Sequence, residues 1–176
     1  VSVVAVSVKE LPINETDPLG GITIFEYDDC GRSSAVVDPA GRRTEYLYDA
    51  RGNLLKLTRP DGRAVATEFD AASKAVRITD PNGAVWQQAW DGRGQLVAQT
   101  TPLGHVNRYE YDGFGQLVAH TNPRGARSGL AYDGDGKLTQ IDNALGQRTR
   151  LAYDGLGNLI ARKDPAGQLT RYQYDV

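Results

Sequence analysis

The sequence predicts an all-β fold: an antiparallel β-meander of 21-residue repeats forming a curved, single-layer sheet. Three observations predict it. Stepping by 21 from Asp17 gives Asp17, Asp38, Arg59, Asp80, Thr101, Asn122, Asn143 and Asp164, each opening the same pattern without insertion or deletion. Two turn signals recur in every copy. The stretches between them are six or seven residues, a strand length too short for an ordinary helix. A fixed period of this size is the mark of a repeat architecture.

The first turn signal is Asp/Asn-Pro-x-Gly. Its Pro is present in seven of the eight copies (Pro18, Pro39, Pro60, Pro81, Pro102, Pro123, Pro165), with Ala144 replacing it in the seventh. Its Gly is invariant: Gly20, Gly41, Gly62, Gly83, Gly104, Gly125, Gly146, Gly167. Asp or Asn in a turn bonds its side chain to the backbone further on, Pro presets φ, and Gly supplies left-handed geometry. A type I turn followed by such a Gly closes a hairpin.

The strand that follows ends in an aromatic residue in every copy: Tyr27, Tyr48, Phe69, Trp90, Tyr111, Tyr132, Tyr153 and Tyr174. Runs such as Thr44-Tyr46-Tyr48, Asn107-Tyr109-Tyr111 and Thr170-Tyr172-Tyr174 have period 2, with Arg108 or Glu110 between, so one face is aromatic and the other wetter. The second turn signal comes next, Asp-x-x-Gly. Its Asp are Asp28, Asp49, Asp70, Asp91, Asp112, Asp133, Asp154 and Asp175, and its Gly are Gly31, Gly52, Gly94, Gly115, Gly136 and Gly157. Ser73 and Ala75 replace Gly and Leu in the third copy, so that turn is expected to be the loosest. The second strand begins with Leu in five copies (Leu54, Leu96, Leu117, Leu138, Leu159), and its poor alternation leaves its faces unassigned. Eight first strands, seven second strands and a leading strand at 1–8 are expected. Fifteen strands at ~4.8 Å would span about 70 Å, a width at which open sheets curl. A membrane barrel needs about 9–11 residues per strand, more than these segments supply.

Residues 1–16 are read as a leading strand and connector, a degenerate repeat, and 17–176 as seven full repeats and one partial. The Tyr-Asp-x-x-Gly-Asn-Leu motif (Tyr48 to Leu54, Tyr153 to Leu159) and Asp-Pro-x-Gly-x-x-Thr-x-Tyr-x-Tyr-Asp (Asp38 to Asp49, Asp164 to Asp175) resemble the YD, or RHS, repeat family. The resemblance implies that the sheet is part of a larger hollow shell, as in Rhs polymorphic toxins, insecticidal toxin complexes and teneurins. It implies a non-catalytic segment that encloses and shields a C-terminal toxin domain of a secreted bacterial effector, at the cell surface or outside the cell. Implied partners are neighbouring repeats of the same polypeptide, the enclosed toxin domain, and secretion-machinery or spike proteins. The alternative is an extracellular carbohydrate-binding or cell-adhesion surface, which would present the aromatics to solvent. Pro12 to Gly21 overlaps the family's self-cleavage pattern, Pro-x₄-Asp-Pro-x-Gly-Leu, except for the final Leu; it precedes the repeats, and Asp-Pro-x-Gly is this chain's ordinary turn.

Composition narrows the classes. The chain has 176 residues, 24% charged, with a net charge of −2 and no basic stripe, which disfavours nucleic-acid binding. No run is long and apolar enough for a membrane-spanning helix. One cysteine, Cys30, excludes an internal disulfide. It sits in a turn without a partner His. The absence of Met and the opening Val read as a piece of a longer polypeptide. The repeated Asp could be calcium ligands, but one per repeat falls short of the six to eight oxygens calcium needs, and turn initiation accounts for them. His105 and His120 have no motif-like Ser or carboxylate around them and are read as surface residues. Trp86 and Trp90 share a strand face as wall packing. No catalytic residue, metal ligand or cofactor is assigned; the residues singled out are the turn and ladder positions above.

Overall fold

A computed structural model describes residues 11 and 13–175. The expected leading strand at 1–8, and Pro12, lie outside the described residues. Two compact units divide the chain, 1–85 and 86–176.

The first unit contains β1 (Asn14–Thr16), β2 (Ile22–Tyr27), β3 (Ser33–Val37), β4 (Arg43–Tyr48), β5 (Leu54–Thr58), β6 (Ala64–Phe69) and β7 (Ala75–Thr79). The second contains β8 (Val85–Trp90) from Trp86 onward, then β9 (Leu96–Thr100), β10 (Val106–Tyr111), β11 (Leu117–Thr121) and β12 (Arg127–Tyr132). It ends with β13 (Leu138–Asp142), β14 (Arg148–Tyr153), β15 (Leu159–Lys163) and β16 (Leu169–Arg171). Within each unit consecutive strands pair antiparallel and in chain order, a meander without crossovers. No helix occurs among the described residues. β1 ends 21 residues before the end of β3 and pairs with β2 in the register in which β3 pairs with β4.

Each hairpin closed by Asp-x-x-Gly carries a register shift that the sequence pattern hid. In the β4–β5 pair Leu47 lies opposite Lys56, but Tyr48 lies opposite Leu54, so Leu55 is the extra residue of a bulge. The same shift follows Tyr27, Phe69, Trp90, Tyr111, Tyr132 and Tyr153. A bulge sets two residues against one. The second strand therefore begins with two adjacent positions facing one aromatic, which breaks its alternation. Past the bulge the faces are regular: Leu57 lies opposite both Tyr46 and Val65.

One layer of sheet cannot enclose large side chains. Among the described residues only Ala35 and Ala119 are fully buried, and no large side chain is. The aromatic-face positions Thr44, Tyr46 and Tyr48 are half-buried while Arg43, Glu45 and Leu47 between them are exposed. The wall is held by lateral contacts between neighbouring strands.

The glycines at the fourth position of each turn all adopt positive φ, from 76° at Gly31 to 90° at Gly115. Ser73 follows them at φ 60°, the one non-glycine to do so among the described residues. Its turn is not loosened. The Ser73 amide donates to the Asp70 carbonyl at 3.1 Å and the Asp70 amide to the Lys74 carbonyl at 2.9 Å, as in the other copies. Asn53 Nδ2 also donates to Ser73 Oγ at 3.0 Å. The departure from Gly is felt as backbone strain, with the geometry kept. Ser73→Gly should therefore raise stability by about 0.5–1 kcal/mol, the left-handed penalty less glycine's entropy and the lost side-chain bond. Thermal melts of the two proteins check this; an unchanged or lower midpoint contradicts it.

Candidate functional site: turns, aromatic ladder and edges

Each turn is built around one acceptor oxygen. The amides of Leu19 and Gly21 both donate to Asp17 Oδ1 at 2.8 Å. Those of Phe114 and Gln116 donate to Asp112 Oδ1 at 2.9 Å. Asn122 and Asn143 use Oδ1 in the same way, at 2.9 to 3.0 Å. Where Arg59 opens the turn, Asp61 accepts from the Arg63 amide at 3.0 Å, and Thr101 accepts from the His105 amide through Oγ1 at 3.2 Å. Asp112→Asn is thus expected to shift stability by less than ~0.5 kcal/mol, and Asp112→Ala, which leaves two amides to water, to cost about 1 kcal/mol. Equal losses in the two variants, read by thermal melting, would sink this account of the turn.

Protonation is unfavourable at three turn carboxylates, Asp28, Asp49 and Asp154. The Arg32 backbone amide is the main influence holding Asp28 below its ordinary range, and the Asn53 side chain does so for Asp49 and the Asn158 side chain for Asp154. With folded pKa values below the unfolded value of ~3.9, the stability they contribute is complete above that pH. It is lost as pH falls through the folded values. The melting midpoint should stay level from neutral pH to about pH 4 and drop below it. A midpoint unchanged through acid would contradict the turn assignment.

The aromatic ends of the first strands form a ladder between repeats. Tyr111, Tyr132, Tyr153 and Tyr174 donate their hydroxyls to the carbonyls of Leu96, Leu117, Leu138 and Leu159, each in the preceding repeat, at 2.9 to 3.0 Å. Tyr48 instead lies beneath the Arg32 guanidinium, 4.9 Å from ring to cation, and Arg32 also donates to the Asp49 carbonyl at 2.7 Å. Trp90 pairs with Leu96 across its bulge, and Trp86 on the same face is 36% exposed.

His120 differs from the surface reading. It is half-buried on the aromatic face, stacked on Tyr109 with ring centroids 5.2 Å apart, and its Nε2 lies 3.0 Å from Asn107 Oδ1. The register that sets His120 opposite Tyr109 could not be placed while the second strand's faces were unassigned. His105 is exposed in a turn, as is Cys30, whose thiol is free.

Sequence reasoning missed two sets of residues. At the Tyr-Asp edge, turns are tied to the equivalent turn of the next repeat. Arg93 donates to the Gly113 carbonyl at 2.9 Å, Gln95 to Gly115 at 3.2 Å, Gln116 to Gly136 at 3.1 Å, and Arg51 to Ala71. On the polar face, Arg43 grips Glu26 through two nitrogens at 2.5 and 2.8 Å, and Arg127 grips Glu110 at 3.3 and 2.9 Å. Each bridge spans one strand, β3 or β11, beside the two fully buried residues, Ala35 and Ala119. Only a small side chain can lie beneath. Where the equivalent position holds Arg77, it pairs with the directly opposed Glu68 at 2.9 Å instead. A Glu followed seventeen residues later by Arg was the available signal. These exposed pairs are individually weak and salt-screened.

Among the described residues no group of three or more His, Cys, Asp or Glu is placed to hold a metal ion. A shallow depression of about 310 Å³ is bounded by Arg148, Arg150, Lys163 and the Asp164–Gly167 turn. Among the described residues no helix is long and apolar enough to cross a membrane.

A one-layer strip of short strands between tight turns, with aromatic ends repeated every 21 residues, defines a β-repeat wall. The chain matches the RHS Repeat family over residues 34–64, 69–106, 90–127, 132–168 and 153–176, and it belongs to that family. Comparison with curated proteins gave no match. Among solved structures, TcdB2-TccC3 without hypervariable C-terminal region is similar at 18% identity, with a TM-score of 0.70, over 88% of this chain and 10% of that one. TcdB2-TccC3-Cdc42 is similar at 18% identity and a TM-score of 0.56, over 88% of this chain and 11% of that one. The likeness is one of fold, and the chain spans about a tenth of the length of those proteins.

Proposed function

We propose that this chain is a non-catalytic wall segment of an RHS-repeat shell, and that the parent shell shields a C-terminal toxin domain. The observation that carries the reading is the asymmetry of a single-layer sheet. One face is a half-buried aromatic ladder, and the other is polar and laced by Arg–Glu pairs. Among the described residues nothing covers the aromatic face, as suits the inner surface of a container built from more repeats. The turn and ladder residues from Tyr27 to Asp175 serve as the framework of residues 17–176 acting as one segment, with neighbouring repeats as the immediate partners. TcdB2-TccC3 has a hypervariable C-terminal region, which supports a variable cargo at the corresponding end of the parent. Secretion from a bacterium follows from that role.

Labelling with a bulky maleimide in the longer protein tests the wall directly, after Cys30→Ser removes the native thiol. Thr149 is half-buried on the aromatic face and Arg150 exposed on the polar one. Arg150→Cys should react and Thr149→Cys should be protected, with both reacting after the shell is unfolded. Equal reaction of the two in the folded protein would contradict an inward aromatic face and favour the adhesive reading, for which binding to a glycan array is the assay.

A further inference from the structure

The polar face carries a charge imbalance in its last strands. Every second copy places a Glu just before the aromatic end of its first strand, as Glu26, Glu68 and Glu110, and each pairs with an Arg. The seventh copy breaks that alternation with Ala152. Around it stand Arg148, Arg150, Lys163 and Arg171, all exposed. Arg148 is held by Asp142 through two nitrogens, at 2.7 and 3.0 Å. Arg150, Lys163 and Arg171 have no ion-pair partner among the described residues. Arg150 and Lys163 are direct partners across β14 and β15, a like-charge pairing that costs the sheet stability. Arg171 lies diagonal to Lys163 across β15 and β16. From one to the next, the Cβ atoms of these three cations are about 5–8 Å apart. Arg148, Arg150 and Lys163 wall the depression of about 310 Å³ that the Asp164–Gly167 turn closes. Asp164 borders it with its Oδ1 engaged by the Gln168 amide at 2.8 Å.

We propose that this depression is an anion site for a tetrahedral oxyanion, taken as the phosphate or sulfate group of an ester or as the free ion. The Arg150 guanidinium presents a planar fork of N–H donors that matches two oxygens of such a group, and the Lys163 ammonium supplies a point charge to a third. A dianion there turns the opposed Arg150–Lys163 pair from one repulsion into two attractions. Arg148, already neutralised by Asp142, serves as a wall of the depression. The space exceeds one tetrahedral anion, so a sugar ring that carries the group fits beside the turn backbone. A monovalent carboxylate has half the charge and fewer oxygens, and the site discriminates against it. Water and salt screen an exposed site, so affinity is on the order of millimolar and falls with ionic strength. The inference concerns the polar face and holds whether or not the shell encloses a cargo.

Lysine acetylation of the longer protein at neutral pH and fixed ionic strength, read peptide by peptide in the mass spectrometer, tests it. The probes are inorganic phosphate, inorganic sulfate, glucose 6-phosphate and glucose 6-sulfate, with acetate as the monovalent control. Phosphate and sulfate should slow acetylation of Lys163 saturably and leave Lys56, an exposed lysine of the polar face, unchanged. Esters that protect at lower concentration than the inorganic ions assign a group carried on a larger molecule, and equal protection assigns the free ion. Either result upholds the site. Arg150→Gln should raise the protecting concentration about fivefold or more. Ala152→Glu should do the same, because it returns a competing carboxylate to the slot. Folding is not at risk there, since Glu26, Glu68 and Glu110 fill the equivalent position. Arg108→Gln, on the polar face outside the depression, should leave the concentration unchanged. Absence of protection would overturn the proposal. So would equal protection by acetate or at Lys56, or indifference to both Arg150→Gln and Ala152→Glu.

Discussion

Gly115→Val is expected to destabilise the hairpin joining β10 and β11 by about 2–3 kcal/mol, more than a typical surface change. Gly115 has φ 90°, which a β-branched residue resists. A Cβ there would also stand 3.2 Å from Gln95 Nε2, the group that ties this turn to the preceding one. Two contributions therefore add: strain within the turn, and a loosened link between repeats. Stability in a repeat array is roughly a sum of units and their interfaces, so the loss should be local. Hydrogen exchange should quicken in β9 to β11 and much less in β14 and β15. Unchanged exchange and melting would refute the turn assignment.

Tyr132→Ala is expected to cost about 2–3 kcal/mol, reduced from the larger loss of a fully buried aromatic because Tyr132 is half-buried. Its ring faces Leu138 across the bulge, and its hydroxyl reaches the Leu117 carbonyl of the preceding repeat at 2.9 Å. Tyr132→Phe keeps the ring and loses the bond, and should cost about 1 kcal/mol. Thermal melting of the two variants separates the terms. If the Phe variant loses as much as the Ala variant, the ladder acts through its hydroxyls and the packing account is wrong.

The strands and turns were legible in the sequence because each is fixed by residues within a few positions of one another. Asp17 with Gly20 and Gly21, or Asp112 with Gly115 and Gln116, close their turns through bonds no more than four residues long. What joins one repeat to the next lies 15 to 20 residues apart and was hidden: the Tyr132–Leu117 bond, the Gln95–Gly115 tie, the Arg127–Glu110 bridge. Turn chemistry has a narrow set of residues, whereas Arg, Gln and Glu on a surface are compatible with many partners. The bulge at Leu54 and Leu55 was missed for a related reason. Two adjacent leucines facing one aromatic look like failed alternation until the register is known. His120 was misread in consequence, since its face depends on that register. At Ser73 the expectation erred the other way. Surrounding turns of the same length hold a non-glycine in left-handed geometry that the residue alone would avoid.

The claim that this segment walls in a cargo is tested most directly by limited proteolysis of the longer protein, with mass spectrometry following its C-terminal region. The account predicts that this region survives until the repeat wall is cut, and that Gly115→Val together with Tyr132→Ala hastens its loss. Digestion of the C-terminal region at once, while the repeats persist, would contradict it.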